Sequence, residues 1–305
     1  MDLFVIADPL DNLDPRLDTT VGLIGAARRR GHRVLAGTVG DLVLRGNRCQ
    51  SRLRDLDRSG ATSAWVDLDD ADVVLFRTDP PVDPAYLAAT YLLDFVDTTS
   101  TIMVNDPRGI RHANEKLFCH HYADLCPPTL VSSDAELIRD FVGEHQRCIV
   151  KPVDGHAGRG VLRLDDGDPN RDAIIEIAAD RGARAVVVQR WLDEITNGNK
   201  RLFVHAGQPV AAALRCPQDP DFRIGLPVQM VPVTDHDRHL CSRLAPDLRT
   251  LGLVLVGLDL IDDHLIDANV TSPGALGKCD ALLGTSLCDD FIDLLEHLPP
   301  DWSLT

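Results

Sequence analysis

Positive charge is scarce in this sequence. Its 305 residues hold 31 Lys and Arg against 47 Asp and Glu, a formal net charge of −16. That balance argues against nucleic acid as the main partner, because a phosphate backbone requires a basic face. An anionic ligand would need positive charge gathered locally, so the position of each Lys and Arg becomes informative. Long apolar runs are also missing. None approaches the roughly 20 residues of a membrane span, and the opening "MDLFVIADPL" has an acid where a signal peptide needs basic charge. No membrane partner is expected, and a cytoplasmic location is. The 8 cysteines (49, 119, 126, 148, 216, 241, 279, 288) form no C-x-x-C pair and no zinc spacing, which points to free thiols in a reducing compartment. The run Cys119-His120-His121 is not expected to hold a metal, since neighbouring residues on a helix face different sides. What remains is ordinary globular composition, 44% hydrophobic and 26% charged, enough for one large domain or two to three lobes.

Three sections follow one another. In residues 1–120 an apolar strand (3–7) precedes the helical "TTVGLIGAARRRGH", which ends at Gly31 as helices commonly end at glycine. Strands at "ADVVLFR" (71–77) and "TIMVN" (101–105) flank a helix after "DPPVDP", and this alternation implies a mostly parallel α/β sheet. Residues 121–195 hold the β-rich runs "RCIVKPV" and "GVLRLDD", the helix "RDAIIEIAADRG" and the strand "ARAVVVQRW". Residues 196–305 hold a hairpin pattern around Gly207-Gln208-Pro209, a helical stretch at 238–252, and "LVLVGLDLIDDHLIDANVTSPG".

Chemistry concentrates at two places. Asp262-Asp263 is a turn between two apolar runs; Asp259 lies on the incoming run, and Asp267 and Asn269, two apart, share one face of the outgoing run. Paired, these strands bring together two carboxylates and an amide oxygen, hard ligands suited to Mg²⁺; spacing alone equally allows solvent-facing polar residues. The second place is "IVKPVDGHAGRGV" (149–161). Lys151 sits among apolar neighbours and is costly to bury unless it meets an anion, the alternative being an edge lysine reaching water. Gly155, Gly158 and Gly160 would let backbone N–H groups approach phosphate, or simply make a hairpin turn. Lys116, in "HANEKLF", is placed on a helix.

Taken in order, "RTDPPVD" with "ATYLLD", "VNDPRGIRHANEKLF", "KPVDGHAGRGV", "QRWLDEITNGNKRLFVHAGQPV" and "GLVLVGLDLIDDHLIDANVTSP" resemble the ATP-grasp superfamily, and within it the bacterial glutathione synthetases, over nearly the whole chain. The resemblance implies an α/β ATP-grasp fold with an N-terminal parallel α/β domain (1–120), an ATP-lid lobe (121–195) and a C-terminal lobe with the metal site (196–305). It implies ATP-dependent joining of a carboxylate to an amine through an acyl phosphate, with ATP and Mg²⁺ (or Mn²⁺), small amino-acid or dipeptide substrates, and a homo-oligomer. Lys116, Lys151, Gly155, Gly158, Gln189, Arg190, Trp191, Leu192 and Asn199 would bind ATP. Asp259, Asp267 and Asn269 would hold the metal, Arg201 and Arg223 would act at the phosphates and the acyl phosphate, and Asp18, Arg77 and Ser272 would contact substrate.

The sequence also departs from the family pattern. Asp267 stands at a family Glu, Asn199 at a family Asp, and Ala157 at a family Gly, which calls for negative φ there. The family's long glycine-rich segment is cut to "FRIGLPVQMVPVT" (222–234), expected to be a stiffer loop. Glutathione synthetase chemistry, γ-glutamylcysteine with glycine, is the leading expectation. A ligase of other amino-acid or peptide substrates, or a nucleotide binder without ligase activity, is the alternative.

Overall fold

The computed structural model describes residues 1–58, 62–218, 221–300 and 302. β1 (Asp2–Ala7) is apolar after its first residue and buried from Leu3 to the end, the pattern of a parallel strand covered on both faces. α1 (Thr19–Arg29) follows, started by Asp18, whose carboxylate accepts from the Thr20 and Val21 N–H groups at 2.7 and 3.3 Å. The chain leaves α1 through Gly31 at φ +81°, a left-handed turn that glycine makes without strain. β2 (Arg33–Gly37) pairs in parallel with β1. β3 (Leu42–Arg45), β4 (Arg48–Asp55) and β5 (Ala64–Asp67) form an antiparallel meander at the edge. β6 (Val73–Arg77) returns beside β1, α2 (Pro84–Leu93) is capped by Asp83, β7 (Ile102–Val104) completes the sheet, and α3 (Pro107–His112) follows. The strand order is β3-β4-β2-β1-β6-β7, with β5 on β4.

A four-stranded antiparallel sheet, β10-β9-β11-β8, comes next. It consists of β8 (Thr129–Ser132), β9 (Arg147–Pro152), β10 (Leu162–Asp165) and β11 (Val186–Arg190), with helices α4 (Ala135–His145) and α5 (Arg171–Ala178) on one face. Alternate residues Cys148, Val150, Val186 and Val188 pack on Ile138, Val142 and Ile175 of the helices. By the two-residue period of a strand, Ile149, Lys151 and Gln189 face the other way, and all three line a cleft.

The third sheet has order β14-β13-β12-β15-β16. β12 (Asn199–His205) and β13 (Gln208–Gln218) join through Ala206 and Gly207, both at positive φ (48° and 80°), as a two-residue hairpin turn needs. The segment expected as a loop at 222–234 is instead mostly strand: β14 (Asp221–Val231) pairs antiparallel with β13. It is an edge strand, where Pro227 withholds no hydrogen bond from a second neighbour, so few glycines and two prolines are compatible with a strand here. α6 (Asp235–Thr250) precedes β15 (Leu255–Ile261) and β16 (His264–Asn269), which meet at an Asp262-Asp263 turn with Asp262 at φ +52°.

α7 (Leu276–Leu283) and α8 (Leu287–His297) then turn back onto α1. A Cβ on Gly22 would lie 2.7 Å from Cys288 Sγ, and one on Gly277 would lie 2.7 Å from the Asp18 carbonyl oxygen. One apolar core therefore joins Leu3, Val5 and Leu23 to Phe203, Leu276 and Phe291.

Candidate active site

The three sheets meet around a cleft of about 810 Å³. The β15–β16 ladder sets its floor by placing Asp259 opposite Asp267 and Gly257 opposite Asn269. Asp259 is 8% exposed. Both its oxygens accept from Arg201 (Nε 2.6 Å, Nη2 2.9 Å), and it accepts further from Arg215 Nη2 and from Asn269 Nδ2 at 3.1 Å. Burial alone would push the Asp259 carboxyl up; the Arg201 and Arg215 guanidiniums overcome this and hold it below the usual carboxylate range. Arg201 comes from β12 and Arg215 from β13, so hairpin register aims both at one carboxylate. Burial pushes Arg215 down to about 10, which leaves it charged at neutral pH.

Lys151, 3% exposed, donates to Asp267 Oδ1 at 3.1 Å. Lys116 is not on a helix. The Asn114 side chain accepts from the N–H groups of Lys116 and Leu117, both at 3.1 Å, and bends the chain into a turn after α3. That turn sends Lys116 Nζ to the Gly155 carbonyl at the root of the flap over the cleft. Glu115 beside it fixes the chain just after β16: its carboxylate accepts from Val270 N at 2.9 Å, Thr271 N at 3.0 Å and the Thr271 hydroxyl at 2.7 Å.

In the flap Ala157 has φ +51°, against the negative value the sequence called for. Gly158 and Gly160 follow at φ +70° and +72°, and a Cβ on Gly160 would lie 2.8 Å from Pro152 Cγ. A fold-back this tight over Pro152 uses left-handed residues, and Ala157 accepts a cost of roughly 1–2 kcal/mol to join them. A Cβ on Gly158 would lie 3.4 Å from Arg223 Cδ, so the flap rests on the stem of Arg223. The head of Arg223 is exposed and held by Asp221 at 2.6 Å. Phe222 meets Trp191 edge-on at 5.5 Å, a second contact between β14 and the second sheet.

Gln189 and Arg190 end β11, whereas Trp191 and Leu192 lie just past it. Asn199 accepts from Arg215. On the far wall Arg77, 4% exposed, donates to the Thr20 hydroxyl at 3.3 Å and to the Pro273 carbonyl at 3.2 Å; its Nη1 has no partner among the described residues. Ser272 donates to the Arg77 carbonyl, and Asp18 lies at the same wall. The cleft thus collects every residue that the resemblance assigns to ATP, metal, phosphate or substrate, whereas Gly160 of the flap does not line it. Sequence reasoning missed Arg215, Glu115 and Lys278, which also line it. The turn at 206–207 alone would set Leu214 opposite Asn199; a bulge between Phe203 and Val204 shifts the register by one residue and brings Arg215 there, and no local signal in the sequence marks that bulge.

The donor set fits a hard divalent cation. Among the described residues Asp267 is shared only with Lys151, and Asn269 spends its NH₂ on Gly257 and Asp259, which leaves its carbonyl oxygen to accept. Asp259 receives four donated hydrogen bonds, about as many as a carboxylate has lone-pair sites. It would have to release one of them to coordinate a metal.

Comparison with known proteins places this cleft in a class. The fold matches that of D-cycloserine synthetase (TM-score 0.70, 18% identity, 97% of this chain and 99% of that one). It also matches an ATP-grasp ligase solved with a minimal precursor (TM-score 0.66, 20% identity, 97% of each chain). The fold is therefore that of the ATP-grasp ligases. The family models for the prokaryotic glutathione synthetase N-terminal domain and ATP-grasp domain match residues 1–111 and 115–284. Glutathione synthetase of Synechococcus elongatus is 40% identical (98% of this chain, 99% of the relative), and that of Xanthomonas axonopodis pv. citri 35% (97% and 98%). The chain belongs to the prokaryotic glutathione synthetase family, and it is an ADP-forming, ATP-dependent amide-forming ligase of glutathione synthetase type. Among the described residues no helix is long and apolar enough to cross a membrane.

Proposed function

We propose that the cleft joins γ-glutamylcysteine to glycine at the expense of ATP, with Mg²⁺ as the divalent cation. The substrate carboxylate attacks the γ-phosphorus as the bond to the bridging oxygen breaks, giving an acyl phosphate and ADP. The amine then attacks the acyl carbon, phosphate leaves, and the amine proton is lost. ATP would lie between residues 121–195 and 196–305, with its adenine against Gln189 to Leu192, its ribose near Asn199 and its phosphates under the flap at Gly155 and Gly158. Asp259, Asp267 and Asn269 would hold the cation, which when bound neutralises charge on the β- and γ-phosphates. Lys116 and Lys151 would exchange their present partners for phosphate oxygens. Arg201 and Arg223 would face the γ-phosphate and the acyl phosphate, and Asp18, Arg77 and Ser272 the substrate.

One observation carries this reading. In a chain of net charge −16, Lys151 and Arg201, each less than 9% exposed, converge with Arg215 on the carboxylates of Asp259 and Asp267, and Lys116, 8% exposed, meets only the neutral Gly155 carbonyl among the described residues. Buried cations in excess over their carboxylates suit a ligand that brings its own negative charge. ADP release with ATP, Mg²⁺, γ-glutamylcysteine and glycine is the expected result. Turnover with other amino-acid or peptide pairs, and none above background with this one, would replace the substrate assignment. The rigid β14 in place of a glycine-rich closing segment is what supports that second reading.

A further inference from the structure

Seven residues after Cys119 the chain brings Cys126 back beside it. The 3-10 segment Phe118–Leu125 is broken at Tyr122, whose φ −120° and ψ 53° are not helical. The break folds the end of the segment onto its start, so that Cys126 Sγ donates to the Cys119 carbonyl at 3.3 Å. The side chain of His120 closes on the same point. The two sulfurs and an imidazole nitrogen of His120 all lie within 4.8 Å of one another. Neighbouring residues that would diverge on an α-helix therefore converge here. Both cysteines are free and buried, and His120 Nε2 is buried with no hydrogen-bond partner among the described residues. An orphaned ring nitrogen in a buried site is unfavourable, and a ligand for it would remove that cost. The other three-residue group of this kind among the described residues, Asp293, Glu296 and His297, has two of its three members exposed, and its carboxylates are neutralised by Arg30.

We propose that Cys119, His120 and Cys126 form a binding site for a soft or borderline divalent cation, Zn²⁺ in chemical class, separate from the oxygen site at Asp259, Asp267 and Asn269. Two thiolates and an imidazole select such an ion over Mg²⁺. Zn–S and Zn–N bonds of about 2.3 and 2.0 Å set ligand atoms roughly 3.5–3.8 Å apart, so a small contraction of the cluster completes the geometry. A water takes the fourth position, reached past the partly exposed His120. Binding releases both thiol protons to solvent, and the two thiolates balance the ion's charge. The Cys119 thiol now donates to the carbonyls of Lys116 and Ile266, at 3.3 and 3.7 Å. Ligation removes both contacts, one residue from Asp267 on β16 and at Lys116 itself. Occupancy is thereby linked to the nucleotide cleft.

The reduced full-length protein should be titrated with Co²⁺ as a spectroscopic probe for Zn²⁺. One equivalent is expected to give intense sulfur-to-cobalt charge-transfer absorption, bleached by Zn²⁺. Asp267→Asn should leave the band in place, whereas Cys126→Ser should abolish it. His120→Ala, a change at a partly exposed ring that leaves the packed thiols alone, should weaken Co²⁺ binding at least tenfold. Co²⁺ bound without a thiolate band, or a band of undiminished affinity in His120→Ala, would overturn the proposal.

Discussion

Asp259 shows what a single residue carries in this molecule. Its carboxylate is the only acid shared by Arg201 and Arg215 among the described residues, and all three are largely buried. Asp259→Ala would leave two guanidiniums without a counter-charge, and breaking a buried pair in this way costs about 3–5 kcal/mol. Urea unfolding without nucleotide should show a loss of that order. A loss below 1 kcal/mol would mean that solvent already screens the site. The folded carboxyl lies below its unfolded value, so its contribution is full above the unfolded pKa near 4 and disappears as pH falls through the folded value. Much of the site was legible at this scale, since the two-residue spacing of Asp267 and Asn269 and the apolar setting of Lys151 are local signals. Arg215 and Glu115 were not, because each meets the site only through hairpin register or a contact with a distant strand.

At the scale of elements, long apolar or strongly periodic segments were readable, and half-polar ones were not. β1, α1, β11 and the β15–β16 hairpin each announce themselves by pattern and by turn residues. In the β3–β5 meander the central strand β4 sets Arg48, Arg52, Arg54 and Asp55 around the single apolar residues Cys49 and Leu53, and β3 and β5 offer only three apolar residues each, so their strand character comes from pairing with neighbours rather than from their own sequence. β14 was hidden for the same reason. Its Arg223 stem supports the flap at Gly158, so flap and strand form one contact across the cleft. Gly158→Val would place a β-branched residue at φ +70° and push its side chain against Arg223. The flap is half-buried at this point and belongs to none of the apolar cores. The substitution should therefore cut kcat/KM for ATP at least tenfold and lower the thermal midpoint by only about 2–8 °C, since left-handed strain costs roughly 1–2 kcal/mol and no core packing is lost. A wild-type kcat/KM in this variant would mean the flap need not hold that shape.

For the whole molecule, the decisive feature is that the end of the chain completes the core begun by its start. No local pattern shows this, because it depends on α7 and α8 turning back onto α1. His205, at the end of β12, lies inside that junction. It is 4% exposed, meets the Phe291 ring of α8 edge-on at 4.8 Å, and its Nε2 has no partner among the described residues. Burial lowers its pKa from 6.5 to about 4. Between those values the unfolded chain takes up a proton that the folded chain refuses, so stability falls as pH drops. The slope is roughly 1.4 kcal/mol per pH unit, for a total of about 3 kcal/mol. Above pH 6.5 both states are neutral there, and below about 4 both are protonated, so the effect is confined to that window. His205→Leu removes the titrating group and the unpaired nitrogen while keeping an apolar contact with Phe291. Denaturant unfolding at a series of pH values should show the variant losing less stability than the wild type between pH 6.5 and 4, and matching its slope elsewhere. Parallel curves across that window would show that the junction admits a protonated His205, and hence that the last helix lifts from the sheet more readily than its packing implies.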